Sequence, residues 1–179
     1  MELNNPFTFL FKTDVSYLKS LVSKVDKKLW YEKTFRQELY EVHKKTLSIV
    51  FKWTSNSQEN LDKSFINYDL LNSILGKEVE LQIKKILKYY PKTLISKAML
   101  AYVAPKSEIK EHIDSGILQK IHRIHLPIIT NPKCIFNIDK KNYFPKEGEC
   151  FEFDNTKSHF INNMGNTPRI HLILDLLKK

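Results

Sequence analysis

Apolar residues return at Leu18, Leu21, Val22, Val25 and Leu29, the spacing of an amphipathic helix, with Thr13 or Asp14 placed to cap it. The same period recurs over roughly 77–90, where Val79, Ile83, Ile86 and Leu87 share a face and Pro91 closes the segment. Between them TLSIVFKW, residues 46–53, reads as a strand followed by a polar loop, TSNSQENLDK, over 54–63. From about residue 93 the pattern changes to short β-rich runs: TLISKAMLAYVA, EIKEHID, KIHRIHLPIIT, KCIFNID, ECFEFD, SHFINN and RIHLILDLL. Pro105, Gly116, Asn131-Pro132, Gly148 and Met164-Gly165-Asn166 punctuate them. So many short strands predict a mainly β sandwich or barrel with helices packed on one side. The expected organisation is one domain, with a mixed helical and strand support region over 1–92 and a β-rich core over 93–179.

Composition changes this picture little. A chain of 179 residues with 42% hydrophobic and 27% charged side chains can bury a proper core. No apolar run reaches the roughly 18 residues of a membrane helix, and the apolar patch of MELNNPFTFLFK is too short for a signal peptide, so a cytoplasmic protein without membrane contact is expected. Cys134 and Cys150 are then expected to be reduced, packed thiols, since no Cys-x-x-Cys spacing accompanies them. The net charge of +9 comes from scattered lysines, which suits a solvated basic surface better than a nucleic-acid-binding stripe.

Arginine is the exception. Only Arg36, Arg123 and Arg169 occur, and two of them open a repeated Arg-Ile-His-Leu, at 123–126 and 169–172. Strand alternation puts Arg123 and His125 on one face and Ile124, Leu126 and Ile128 on the other; Arg169 and His171 are likewise opposed by Ile170, Leu172 and Leu174. Two such strands in one barrel could line a cavity with guanidinium groups; two edge strands showing polar faces to water are the plainer alternative. The surrounding residues favour the cavity. His112-Ile113-Asp114 places an imidazole and a carboxylate on one strand face about 7 Å apart, and His159 follows after a long β excursion, ten residues before Arg169. That order is the sequence form of the 2-His-1-carboxylate facial triad, which holds Fe(II) and leaves positions open for O2 and a bidentate cosubstrate. A planar guanidinium at Arg169 would meet the second carboxylate of 2-oxoglutarate with two parallel hydrogen bonds, which lysine cannot reproduce.

The segments EHID, RIHLPI, TNPKC, GECFEFDNTKSHFINN and PRIHLILD, spanning about 97–175, resemble the aspartyl/asparaginyl β-hydroxylase family of 2-oxoglutarate-dependent oxygenases and the related bacterial proline hydroxylases. The resemblance implies a double-stranded β-helix, or jelly roll, with His112, Asp114 and His159 as iron ligands. It implies Arg169 as the 2-oxoglutarate anchor, and Arg123 and His125 as pocket residues contacting cosubstrate or a substrate carboxylate. The reaction implied couples decarboxylation of 2-oxoglutarate to hydroxylation of an unactivated C–H bond. Peptide hydroxylases of the family lack a carboxylate where this chain has Asp114, so the small-molecule branch is the nearer match. A free amino acid or similar small carboxylate is the expected substrate, and Asp/Asn side chains of a peptide come second. A jelly-roll binding module without turnover would show the same ligands. A nucleic-acid dealkylating oxygenase fits less well, because such enzymes carry a second arginine where this chain has Asp175.

Around FRQELYEVHKKTLSIVFKW the resemblance is fainter. Arg36 there is a candidate for a substrate carboxylate or, more plainly, for a surface ion pair. His122 is expected to be structural, His171 to orient its neighbours or simply fill the interior, and Trp30 and Trp53 to be core.

Overall fold

The computed structural model describes residues 5–54 and 64–177, so the expected loop after Thr54 lies outside the described residues. Strand β1 (Phe7–Lys12) leads into helix α1 (Ser16–Ser23), a 3-10 turn at Lys27–Tyr31, helix α2 (Phe35–Leu39) and a 3-10 turn at Glu41–His43. Strands β2 (Thr46–Thr54) and β3 (Ser64–Ile66) precede helices α3 (Tyr68–Asn72) and α4 (Ile74–Leu87). Then follow β4 (Leu94–Val103), β5 (Ser107–His112), a 3-10 turn (Gly116–Lys120), β6 (Ile121–Ile129), β7 (Cys134–Ile138), β8 (Lys141–Tyr143), β9 (Glu149–Phe153), β10 (His159–Asn163) and β11 (Arg169–Leu177).

These strands form a jelly roll: a seven-stranded antiparallel sheet ordered β1-β9-β6-β11-β4-β2-β3 and a four-stranded sheet ordered β5-β10-β7-β8. The alternation in the two Arg-Ile-His-Leu copies decides which side of the large sheet meets what. Ile124, Leu126, Ile128, Ile170, Leu172 and Leu174 join one core cluster with Leu18 of α1 and Val79 and Ile86 of α4. The opposite face carries Val103, Phe151 and Phe153, packed with Phe136, Ile138 and Ile161 of the small sheet. Gly76 lets α4 approach α3, since a Cβ there would lie 2.2 Å from the Leu70 carbonyl oxygen. No helix among the described residues is long and apolar enough to cross a membrane.

Two local expectations need correction. The helix predicted from Thr13 to Leu29 ends at Ser23, and a 3-10 turn starts after Asp26, whose side chain accepts from the Lys28 amide at 2.9 Å. The second helix begins at Ile74 rather than near 77, because Ser73 Oγ caps it by accepting from the Gly76 amide at 3.1 Å. The N-terminal FTFLFK is an edge strand on β9, with no period-2 alternation in burial to reveal it. The expected support region and core also share one sheet, since β2 pairs with β4 and β1 with β9.

Candidate active site

A cavity of about 500 Å³ opens between the sheets, walled on one side by the segment carrying Arg36, Tyr40 and His43. Across its mouth His112 at the end of β5 pairs in register with His159 at the start of β10, and Asp114 follows β5 by two residues. Ligand atoms of His112, Asp114 and His159 all lie within 4.8 Å of one another. Each imidazole is oriented by its own backbone: His112 Nδ1 donates to the Lys110 carbonyl at 2.7 Å and His159 Nδ1 to the Lys157 carbonyl at 2.9 Å. That tautomer leaves both Nε2 lone pairs free to ligate. Burial, reinforced by His112, pushes His159 down to about 4, so it is neutral at neutral pH. Burial alone would raise the Asp114 carboxyl, but Arg123, then His159 and Asn155 Nδ2, outweigh it and keep it below its ordinary value. Two imidazoles with free Nε2 atoms and one carboxylate are the donor set that suits Fe(II) with open positions.

Asp114 is held on one oxygen. Oδ2 accepts from Arg123 Nη1 and from Asn155 Nδ2, the latter at 3.0 Å, leaving Oδ1 unengaged by these two donors. Arg123 in turn belongs to a ladder running straight across the large sheet, in which Trp53, Lys97, Asp175, Arg123 and Phe153 occupy opposed positions on β2, β4, β11, β6 and β9. The guanidinium donates Nε and Nη2 to the two Asp175 oxygens, each at 2.9 Å. Arg123 lines the cavity, and here its fork grips a carboxylate of its own chain while its remaining nitrogen steadies Asp114. His125, one turn of the pleat further, accepts from Arg169 Nη2 through Nδ1 at 3.2 Å, and His171 Nδ1 accepts from the same nitrogen at 2.9 Å.

Arg169 is different from Arg123. Its side chain is 2% exposed, and no carboxylate pairs with it among the described residues. Burial pushes it down to about 10. A buried cation without a counter-charge is uncommon, and a carboxylate-bearing ligand would complete this one. His171 Nε2 beside it is buried and has no partner among the described residues.

The remaining wall holds residues that the sequence pattern did not single out or placed elsewhere. Arg36 is 7% exposed and lines the cavity, so the surface ion pair is overturned; its only hydrogen bond to a described residue is Nη1 to Thr46 Oγ1 at 3.4 Å. Trp53 is buried but faces the cavity, because a bulge near Phe51 shifts the register and turns it onto the same side as Val50. Lys97 and Asp175, both buried, read as an interruption and a departure in otherwise apolar strands. His43 sits edge-on to His112 with ring centroids 5.7 Å apart, and nothing in HKKT signals it. His122 is structural, as expected: Nδ1 donates to Glu152 at 2.7 Å on the helix side of the sheet, where Tyr90 also binds Glu152. Trp30 is core, and both cysteines are buried and free.

A family model described as aspartyl/asparaginyl beta-hydroxylase matches residues 31–179. No curated protein sequence matches the chain. Among solved structures it is similar to a viral collagen prolyl hydroxylase from Paramecium bursaria Chlorella virus-1 in complex with 2OG, at 9% identity and a TM-score of 0.63, over 98% of this chain and 97% of the other. A prolyl-4-hydroxylase from Pseudomonas putida gives 10% identity and a TM-score of 0.53, covering 98% and 94%. An oxidoreductase of the 2OG-Fe(II) oxygenase family from Burkholderia pseudomallei gives 6% and 0.52, covering 94% and 92%. These likenesses are of fold.

Proposed function

Because the chain belongs to the aspartyl/asparaginyl β-hydroxylase family, and with it to the 2-oxoglutarate- and Fe(II)-dependent hydroxylases, we propose that its substrate is a free amino acid or a similar small carboxylate. In this reading His112, Asp114 and His159 hold Fe(II), and Arg169 anchors 2-oxoglutarate. Bound iron supplies O2 activation, coupled to decarboxylation of the cosubstrate. The chain's own part is positional. The Lys110 and Lys157 carbonyls fix the two imidazole tautomers, and Arg123 with Asn155 holds one Asp114 oxygen so that the other can ligate. Phe136, Phe151 and Phe153 keep water from the deep end, where a carboxylate would meet Arg169 in a low-dielectric setting.

The observation that carries this reading is the convergence of two imidazoles and Asp114 within 4.8 Å in one cavity with Arg169, which pairs with no carboxylate among the described residues. Asp114 favours a small molecule over a peptide, because the peptide hydroxylases that the sequence resembles work without it. The test is mass spectrometry of an amino-acid panel incubated with the protein, Fe(II), ascorbate and 2-oxoglutarate, seeking a gain of one oxygen. His112→Ala and His159→Ala should each abolish Fe(II) binding and turnover, and full activity in His159→Ala would sink the metal assignment. Asp114→Gly should lose most Fe(II) affinity; retained activity, together with oxygen gain on aspartyl or asparaginyl peptides, would move the substrate to peptides.

A further inference from the structure

The charges in the cavity sort themselves by contact, and Glu41, which also lines it, is exposed and pairs with Lys44. Asp175 and Arg123 neutralise each other through two hydrogen bonds. If the proposed function holds, Asp114 and the keto-acid carboxylate of 2-oxoglutarate balance a divalent metal, and the cosubstrate's second carboxylate balances Arg169. Two cations are left over, Arg36 and Lys97, and both line the same cavity.

Neither is fully satisfied by the described residues. Arg36 has one long hydrogen bond, to Thr46 Oγ1, and no ion pair with a described residue. Lys97 is 2% exposed; its Nζ lies 4.3 Å from the Trp53 ring centroid and 4.0 Å from Asp175 Oδ2, beyond hydrogen-bond length, and it donates to no described residue. Asp175 has both oxygens hydrogen-bonded to Arg123, so Lys97 makes only a long ion pair with Oδ2 and no hydrogen bond to it. Burial lowers both cations, Arg36 to about 9 with Arg123 and Arg169 adding to it, and Lys97 to about 8, where Asp175 opposes the burial and Arg123 adds to it. An ammonium and a guanidinium kept buried with most donors unmet are destabilising unless something else meets them. Acid oxygens of a ligand can do so from the open side of the cavity.

We propose that Arg36 and Lys97 form an anion-binding wall for the primary substrate, and that this substrate carries two acid groups, as a small dicarboxylate or an acidic amino acid does. The proposal deepens the hydroxylase reading and rests on it. A zwitterionic amino acid with a neutral side chain has a single carboxylate and would leave one of the two cations without an acid partner in the closed complex. The flat face of Trp53 backs the Lys97 stem and presents an apolar surface beside the acid site.

The test uses matched pairs differing by one charge: L-aspartate against L-asparagine, and L-glutamate against L-glutamine. Each is titrated calorimetrically into protein loaded with nickel(II) and 2-oxoglutarate, which cannot turn over, and each is then assayed with Fe(II) for stimulated 2-oxoglutarate decarboxylation. In at least one pair the acid should bind about tenfold or more tighter than its amide, the range expected for one charge-assisted hydrogen bond. Lys97→Met and Arg36→Met should each remove most of that preference, while 2-oxoglutarate affinity changes by less than about threefold. Amides binding as well as acids, or variants that keep the preference, would overturn the inference while leaving the hydroxylase reading standing. Failure of the wild-type protein to take up nickel(II) and 2-oxoglutarate would overturn both. If a variant fails to fold, the acid-to-amide ratio of the wild type decides alone.

Discussion

The two arginines that open the repeated motif should respond to the same substitution in opposite ways. Arg169 is a buried guanidinium whose proton is held less tightly folded than unfolded, about 10 against an ordinary 12.5. At neutral pH it is charged in both states, so that shift measures a folded-state penalty on the order of 3 kcal/mol. Arg169→Met removes the penalty at similar volume. It also removes the hydrogen bonds to His125 and His171, at about 1 kcal/mol each, and leaves their Nδ1 atoms unpaired. The two sides nearly cancel, and the ligand-free variant should stay within about 2 kcal/mol of wild type. Arg123→Met has no such compensation. It strands Asp175, which is 0% exposed, and breaking one side of a buried pair costs about 3–5 kcal/mol. Urea denaturation of the metal-free proteins at pH 7 reads both numbers. A second series on nickel-loaded protein adds 2-oxoglutarate at about 100 times its dissociation constant, which should stabilise wild type by about 3 kcal/mol and Arg169→Met hardly at all. Equal destabilisation by the two substitutions, or undiminished 2-oxoglutarate stabilisation of Arg169→Met, would refute the distinction between an arginine held by its own chain and one awaiting a ligand.

Lys97 supplies a pH signature. Its folded pKa of about 8 lies below the ordinary 10.5, so between those values the unfolded chain binds more protons and the lysine's contribution to stability rises with pH. Buried thiols and Tyr90, whose values burial raises, act in the opposite sense, so the measurable quantity is the stability of wild type minus that of Lys97→Met. That difference should climb from pH 8 to 10, and a flat difference would place Lys97 in a solvated environment. Gly76→Ala should destabilise by about 1–3 kcal/mol in urea, although helix propensity alone predicts a gain of about 1 kcal/mol, because the new Cβ would meet the Leu70 carbonyl at 2.2 Å. A stabilised variant would mean that α3 and α4 separate freely.

The chain's local patterns were enough for the jelly roll's main strands, because period-2 alternation in stretches such as RIHLILDLL fixes which side chains face the helices and which face the cavity. The metal candidates were legible from their order, although β5 ends at His112 and Asp114 is brought beside the imidazoles by the irregular backbone after it, whose Asp114 amide donates to the Asn155 carbonyl at 3.1 Å. What the sequence did not contain was which face-sharing residues on different strands stand opposite each other. Only register put Lys97, Asp175 and Arg123 in one row, and only that row shows Arg123 holding a carboxylate of its own chain while Arg169 has none. Trp53 turned toward the cavity through a bulge, a one-residue change in pairing that its partner strand imposes and no intrinsic propensity encodes. Arg36 could be named a candidate from the sequence, but its burial in the cavity could not, for a further reason. It sits on a five-residue helix whose burial depends on where that helix docks, and docking is settled by contacts between segments far apart in the chain.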